Sequence, residues 1–450
     1  MTRRKPLAPA KHATAAEVAA LVKSGMWLDF GGANTQPEVL DQAVAARRGE
    51  LFDVKVRSCL SIRPVFMFET DPESKHFQAF NWHFSPYDRM KHDAGRCIYI
   101  PLNLGEVPDY YRRFIEPPDI LMLRTAPMDK DGYFNLGPSN VWIGAALERA
   151  KTVVLETSPS VPRVHGVDNA IHVSEVDYIV EGTKAPLTEL HNAPMTDIDR
   201  KVAELIAGEI DDGACIQIGI GSMPNAVCSL LAQSGIKDLG VHTEMLTDGI
   251  IDLMKAGCVT GARKQIDQGK VVFTFALGSK YLYDAVDDNP EMKCCPVDYT
   301  NLPHIIMQND NLMSINNTTQ IDLQGQAASE SDGHRHLTGT GGQLQFVRGA
   351  YASKGGKSFM LLASTYERKG QRKSRIVLDL TPGNIVTTPR SDVMYVVTEY
   401  GMVNLKGKSV SERAKALIGL AHPDFREELA RDAHKAGLLP RWFAMGSVGA

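Results

Sequence analysis

The chain has no apolar run long enough to cross a bilayer. One of its longest, Val271-Val272-Phe273-Thr274-Phe275-Ala276-Leu277, spans seven residues, against the roughly 20 that a membrane helix needs. Cysteine is sparse and unpatterned: seven residues with no CxxC pair. An odd count without that spacing suggests neither a disulfide framework nor a zinc ribbon, and it suits a reducing cytoplasm. Charge of one sign is also missing. Lys plus Arg number 49 against 53 Asp plus Glu, a net charge of −4, which argues against a general affinity for nucleic acid. Several signature loops fail as well. Gly219-Ile220-Gly221-Ser222-Met223-Pro224 carries Pro where a dinucleotide fingerprint needs its third glycine, and Gly339-Thr340-Gly341-Gly342-Gln343-Leu344 lacks the same residue. Lys354-Gly355-Gly356-Lys357-Ser358 ends like a phosphate loop, but Tyr351 occupies the position of the leading glycine. Neither HExxH nor GxSxG occurs, so nicotinamide, ATP, zinc-protease and serine-hydrolase chemistry lose their usual marks.

What is present is a soluble-type composition, 43% hydrophobic and 23% charged over 450 residues, enough for two or three domains. The N-terminus is basic, with Arg3, Arg4, Lys5 and Lys11 ahead of Glu17, and has the composition of an organelle presequence. Thr14 and Glu17 instead form a capping-box pattern, which predicts a tail leading into a structural helix to about Lys23. The chain then repeats itself. Glu17-Val18-Ala19-Ala20-Leu21, the strand Trp27–Phe30, Gly31-Gly32, Pro37 and a helix through Val44 are matched further on. Their counterparts are Lys201-Val202-Ala203-Glu204-Leu205, the strand Cys215–Ile218, Gly219 and Gly221, Pro224 and a helix through Leu231. Helix, buried strand, glycine turn and helix again is the order of an open parallel α/β sheet. Further strands are predicted at Asp53–Cys59, Asp119–Leu123, Thr152–Leu155, Asp177–Val180, Gly240–Thr243, Lys270–Phe275, Leu312–Ile315, Phe359–Leu362, Arg375–Leu380 and Val393–Val397. Lys184 to Thr196 reads as a linker. The expected fold is therefore two tandem, related α/β domains with largely parallel sheets, residues 1–190 and 191–450, with the active site expected between them.

Two features invite chemistry. Gly219 to Met223 stands where a strand meets a helix. Backbone N–H groups there suit a phosphate or a developing oxyanion, or the glycines merely permit a tight turn. Glu244 follows the strand Gly240–Thr243 at its carboxyl end, as a nucleophile or as a solvated loop residue. His334-Arg335-His336 reads as an exposed loop and Cys294-Cys295 as core thiols, so no metal site is expected.

Longer motifs decide between these readings. Val241-His242-Thr243-Glu244-Met245, Gly339-Thr340-Gly341-Gly342, Val397-Thr398-Glu399-Tyr400-Gly401 and Ala421-His422-Pro423-Asp424-Phe425-Arg426 resemble the acetyl-CoA hydrolase/transferase family. The strongest likeness is to its butyryl-CoA:acetate and 4-hydroxybutyrate CoA-transferases. Asn81-Trp82-His83-Phe84-Ser85, Ala126 to Phe134, Ile171 to Asp177, Ala276 to Lys280 and Ala327 to Ser331 extend the resemblance almost end to end.

The resemblance implies an enzyme that passes coenzyme A between small carboxylic acids, with Glu244 as covalent nucleophile through an acyl-glutamyl anhydride and a glutamyl-CoA thioester. An ordinary glutamate, pKa about 4.3, is ionised at neutral pH and needs no partner base. By similarity, the N–H groups of Met223 and Gly342 serve the oxyanion on the acyl carbon. The Asn301 amide serves the one on the glutamyl carbon, unless Asn301 is only a helix cap. Gly219, Ile220, Gly221, Ser222 and Met223, with Thr319 and Gly342, form the implied coenzyme A surface. Gln345 stands where relatives commonly carry Asp, and Ala33 to Pro37 follows the family's acyl-pocket pattern loosely. A cytoplasmic homodimer acting on acyl-CoA and small acids, without nucleic acid, membrane, metal or nicotinamide, completes the expectation. Hydrolysis of acyl-CoA on the same Glu244, transfer to a dicarboxylic acid such as itaconate, and a non-catalytic CoA- or nucleotide-binding regulator are the alternatives.

Overall fold

The computed structural model describes residues 9–191 and 193–440; Arg3, Arg4 and Lys5 of the basic tail lie outside them. The chain forms two compact units. Among the described residues, the first comprises 9–191, 244–248 and 271–302, and the second 193–243, 249–270 and 303–440.

The first unit holds an eight-stranded sheet. Its order is Lys11–His12, Tyr178–Glu181, Thr152–Thr157, Ile120–Thr125, Trp27–Gly32, Val54–Cys59, Phe77–Asn81 and Cys97–Tyr99, parallel throughout. Every residue of Ile120–Thr125 is buried, as expected where both faces of a parallel sheet are covered. Side chains alternate between two cores: Ile120 and Met122 join Leu28, Phe30 and Val154, while Leu121 and Leu123 join Val153, Leu155 and Trp142. From Trp27–Gly32 the chain builds outward through Val54–Cys59 to Cys97–Tyr99. It then crosses to the other side of Trp27–Gly32 with Ile120–Thr125. The loops after these two central strands therefore sit at a topological switch point, where open α/β sheets bind ligands.

The second unit repeats the plan. Gly240–His242, Cys215–Ile218, Leu312–Asn317, Lys357–Leu361 and Tyr395–Thr398 pair in parallel, and Gly401–Asn404 closes the edge antiparallel. Its switch point lies between Cys215–Ile218 and Leu312–Asn317, so the glycine loop at 219–223 opens directly onto it.

Local signals act largely as read. Thr14 and Glu17 form the capping box, although the helix ends at Ala19, because Arg47 Nη1 takes the carbonyls of Ala19 and Val22. Thr196 caps Asp197–Ala207 in the same way. Lys11–His12, Phe77–Asn81 and Cys97–Tyr99 are strands that the sequence pattern did not reveal. Two of them are edge strands and the third alternates buried with half-buried residues, so none carries a continuous apolar run. The segment predicted as a strand at Arg375–Leu380 is reduced to Ile376–Val377 in a small sheet with Gln320–Asp322 and Ala327–Ala328. Lys354 to Lys357 leads from a helix into a strand, the reverse of the strand-to-helix order of a phosphate loop.

Candidate active site

Glu244 belongs by packing to the first unit, although it falls in the second of the two domains expected from chain order. Met245–Leu246 pairs in parallel with Phe275–Ala276. The Glu244 carbonyl accepts hydrogen bonds from the N–H groups of Thr274 at 3.0 Å and Phe275 at 3.3 Å. The half-buried Glu244 side chain accepts a hydrogen bond at Oε2 from Asn301 Nδ2, 2.5 Å away. Asn301 is fully buried at the end of the helix Val297–Asn301, and its Oδ1 accepts the Thr300 hydroxyl at 2.9 Å. With the amide oxygen occupied, the NH₂ group is the end turned toward the carboxylate.

One backbone position braces both residues. Val141 N–H donates to Thr274, 3.4 Å from O and 3.1 Å from Oγ1, while its carbonyl accepts Val297 N–H at 2.8 Å. Thr274 thus links Glu244 to Val141, and Val141 links onward to the helix carrying Asn301. Val141 has φ +44, in the left-handed region that a β-branched residue seldom enters. Strain of this kind gathers where surrounding structure over-determines a functional site. No sequence pattern marks Val141 or Thr274, since their role depends on partners distant in sequence.

The ends of the central strands stand beside this brace. Ser139 bridges to Phe275 and donates Oγ to the Gly32 carbonyl at 3.3 Å. Ala33, Cys59, Trp82, Trp142, Met245 and Phe275 share one buried cluster. Burial pushes the Cys59 thiol well above its ordinary pKa, and the negative charges of Asp88 and then Glu244 push it further. Glu244 is thus electrically close to the end of the strand Val54–Cys59.

The second unit assembles the other predicted residues. Gly221 has φ +125, a conformation that L side chains rarely adopt, so the backbone favours glycine; a Cβ there would also displace Asn317 Nδ2, 2.9 Å away. The helix Ser222–Ser234 begins immediately after it, and its first ladder bond runs from Asn225 N–H to the Gly221 carbonyl, 3.2 Å. The N–H groups of Ser222 and Met223 precede that ladder, and Pro224 has none to offer. Ile220 projects half-exposed from the loop, whereas Met223 is buried. Gly219 N–H bonds the Ile315 carbonyl at 3.0 Å, tying the loop to the neighbouring strand. Gly342 is buried and caps the helix Gln343–Ala352, its carbonyl accepting Phe346 N–H at 3.0 Å.

Two side chains join these pieces. Asn317 Nδ2 donates to the Ile220 carbonyl at 3.1 Å, and Gln343 Nε2 donates to the Asn317 carbonyl at 2.8 Å. Gln343 is itself held by the hydroxyls of Ser329 and Thr388. The glycine loop, Asn317 and the start of the Gly342 helix therefore form one connected network. Sequence reasoning missed Asn317 and Gln343; Gln343 directly follows the second glycine motif, whereas Asn317 lies 97 residues from Ile220 and has no local signal. Thr319 lies two residues beyond Asn317, with its N–H and hydroxyl both on the Ala328 carbonyl at 2.9 and 2.7 Å. It retains only lone pairs for a ligand. Gln345 is buried, a position where a neutral amide avoids the cost of burying a charge.

The chain is thus an α/β protein of two units with largely parallel sheets, one presenting a braced carboxylate and the other a glycine loop at a helix N-terminus. The chain belongs to the acetyl-CoA hydrolase/transferase family: residues 2–189 match its N-terminal domain and residues 278–433 its C-terminal domain. Glu244 and the glycine loop lie between those two matches. The chain is 46% identical over 434 residues to the butyryl-CoA:acetate CoA-transferase of Anaerostipes caccae, covering 96% of this chain and 97% of that one. It is 45% identical over 343 residues to the 4-hydroxybutyrate coenzyme A transferase of Clostridium kluyveri, covering 76% and 79%. The crystal structure of RipA from Yersinia pestis superposes with a TM-score of 0.87 at 39% identity, covering 95% of this chain and 98% of that one.

Proposed function

We propose that the protein is a CoA-transferase that moves coenzyme A between short-chain carboxylic acids, butyryl-CoA or 4-hydroxybutyryl-CoA with acetate, through covalent intermediates on Glu244. The observation that carries this reading is the Asn301 amide held at 2.5 Å from the Glu244 carboxylate. A glutamate braced by its backbone and met by an oriented donor is equipped for attack and for stabilising what the attack creates. The names of the relatives support the same activity.

In the first step a Glu244 oxygen bonds to the thioester carbonyl carbon, the C–S bond breaks, and coenzyme A leaves as thiolate. The product is an acyl-glutamyl anhydride. The thiolate then attacks the glutamyl carbonyl, a new C–S bond forms, and the first acid leaves as carboxylate. A second carboxylate reverses both steps. Each step exchanges one anion for another, so no general base is required. Asn301 Nδ2 stabilises the oxyanion on the glutamyl carbon together with the N–H of Glu244. The N–H groups of Met223 and Gly342 serve the oxyanion on the acyl carbon. Gly219 to Met223, at a helix N-terminus where anions are favoured, binds coenzyme A with Thr319 and Gly342. Domains at 1–190 and 191–450, a homodimer and a cytoplasmic location belong to the same proposal. The seven cysteines are buried and form no disulfide, which is compatible with that location.

The test is incubation with an acyl-CoA and no acceptor acid, followed by peptide mass spectrometry. The expected product is a coenzyme A thioester on Glu244, absent from Glu244→Ala. No adduct, or an adduct on cysteine, overturns the mechanism. CoA release at equal rates with and without acetate overturns transfer in favour of hydrolysis.

A further inference from the structure

Lys264 is only 6% exposed, and a buried ammonium is costly unless its N–H groups are taken up. Its Nζ donates to two main-chain carbonyls, Val241 at 2.9 Å and Lys270 at 2.8 Å. The loop that carries it is seated on the start of the strand Gly240–His242. Leu239 N–H donates to the Cys258 carbonyl, and the Leu239 carbonyl accepts the N–H groups of Thr260 and Gly261. The Gly261 carbonyl in turn accepts Lys264 N–H at 3.2 Å and Gly269 N–H at 3.1 Å. The lysine stem then passes against Gly240, where a Cβ would meet Lys264 Cγ at 2.6 Å. Strand, loop and side chain are built around one another.

The two carbonyls stand at telling places. Val241 lies three residues before Glu244, on the segment that delivers it. Lys270 lies four residues before Thr274, whose N–H holds the Glu244 carbonyl at 3.0 Å. The ammonium therefore closes a ring: from Val241 along the chain to Glu244, across to Thr274, back along the chain to Lys270, and through Nζ to Val241. The chain enters the first unit at Glu244 and again at Val271, so Lys264 grips both segments just before they leave the second. We propose that Lys264 is a positioning residue for the transfer reaction: its ammonium fixes the two segments that hold the Glu244 backbone, and so sets where the Glu244 carboxylate stands against Asn301. This rests on the reading of Glu244 as the nucleophile.

The chemistry selects a lysine for this place. Two carbonyl oxygens at 2.9 and 2.8 Å from one nitrogen call for several N–H groups at a single point, which an ammonium on a flexible stem supplies. Methionine would fill the space of the stem but leave both carbonyls without that donor. Arginine would keep the charge, but its donors are spread over a longer planar fork, so the two carbonyls could not converge on one nitrogen as they do now. A lysine that merely stabilised its own loop would give a different outcome on replacement, a lowered Tm with an unchanged rate constant in the folded protein.

The experiment mixes wild type, Lys264→Met and Lys264→Arg with butyryl-CoA and no acceptor acid. Rapid quenching and peptide mass spectrometry follow the glutamyl-CoA thioester, and Tm is read alongside. In both variants the rate constant should fall by about tenfold to a hundredfold, the cost of misplacing a reacting group by about 1 Å. The butyryl-CoA concentration giving half the maximal rate should stay within about twofold of wild type, since ground-state binding is untouched. Lys264→Arg keeps the buried charge and N–H donors, so its Tm should stay near wild type and it decides the matter where Lys264→Met does not fold. A wild-type rate constant in either folded variant overturns the inference, as does failure of both to fold, which assigns Lys264 to stability. A raised half-saturating concentration at an unchanged rate constant assigns it to binding and overturns the inference as well. Arg263→Ala, on the same loop, releases Asp238 and the Asp212 carbonyl without touching either ring carbonyl, and its rate constant should match wild type; an equal loss there would show a general effect of loosening the loop and overturn the inference. Adduct in the wild type with unchanged variants removes the Lys264 inference alone, whereas no adduct in the wild type removes the mechanism beneath it.

Discussion

Asn301 is buried beside a charged group, and the hydrogen bond it donates to Glu244 is the short, charge-assisted kind. The Thr300 hydroxyl on its Oδ1 prevents the amide from flipping. An oriented donor costs no reorganisation when charge develops on the glutamyl carbon. Asn301→Ala should therefore lower kcat by about 10²–10³ while KM for acyl-CoA changes little, read by steady-state kinetics. An equal loss in KM with kcat preserved would assign Asn301 to ground-state binding instead. Asn301→Asp should be worse than the Ala variant, because a second carboxylate would face Glu244 in a buried place.

At the scale of elements, the two glycine turns show what each supersecondary unit contributes. The loop 219–223 turns sharply at Gly221, and that turn exposes the first N–H groups of the following helix. Gly221→Ala would force φ +125 on a residue with a side chain and press Cβ toward Asn317 Nδ2. A stability loss of about 1–3 kcal/mol is expected from the backbone alone, visible as a lowered Tm. The displaced Asn317 would release the Ile220 carbonyl, so KM for acyl-CoA should rise as well. A variant with normal Tm and normal KM would show that the loop is only a connector. The brace through Thr274 and Val141 is the corresponding device in the first unit: strand and helix are locked by backbone bonds, and the site side chains follow.

At the scale of the whole molecule, the parallel sheet buries ionisable groups whose titration enters the stability of the fold. Burial raises the Asp29 carboxyl to about 6, against the opposing pull of Arg57 and of hydrogen bonds from Tyr111 and Gly31. Burial raises Asp41 to about 6 as well, against Arg63 and the N–H groups of Phe66 and Met67. The folded state holds these protons more tightly than the unfolded chain, where the ordinary value is near 4. Their contribution is complete below pH 4 and is lost as pH rises through 6. His83 acts in the opposite sense, because burial lowers it to about 4, so its contribution is lost as pH falls through that range. The clean measurement is the Tm of the wild type minus that of Asp41→Asn across pH 4 to 7. The difference should decline as pH rises; a flat difference would show that Asp41 does not titrate in this window.

Much of this protein could be read along the chain. Capping boxes at Thr14 and Thr196, the buried strands Trp27–Gly32 and Cys215–Ile218 and the glycines that end them are local patterns, and local physics produces the corresponding elements. The collinear motifs sufficed for the family. What the chain alone did not disclose depends on partners far apart in sequence. Asn301 and Glu244 are 57 residues apart, and the brace at Val141 draws on the carbonyl and hydroxyl of Thr274 and the N–H of Val297, both distant in sequence. The packing of Glu244 with the first unit exists only once strands from distant segments are laid side by side. A sequence by itself determines which residues form strands, turns and glycine loops, because those choices are made over a few bonds. Only the tertiary structure decides which donor meets which acceptor, because that depends on distances the chain closes when it folds.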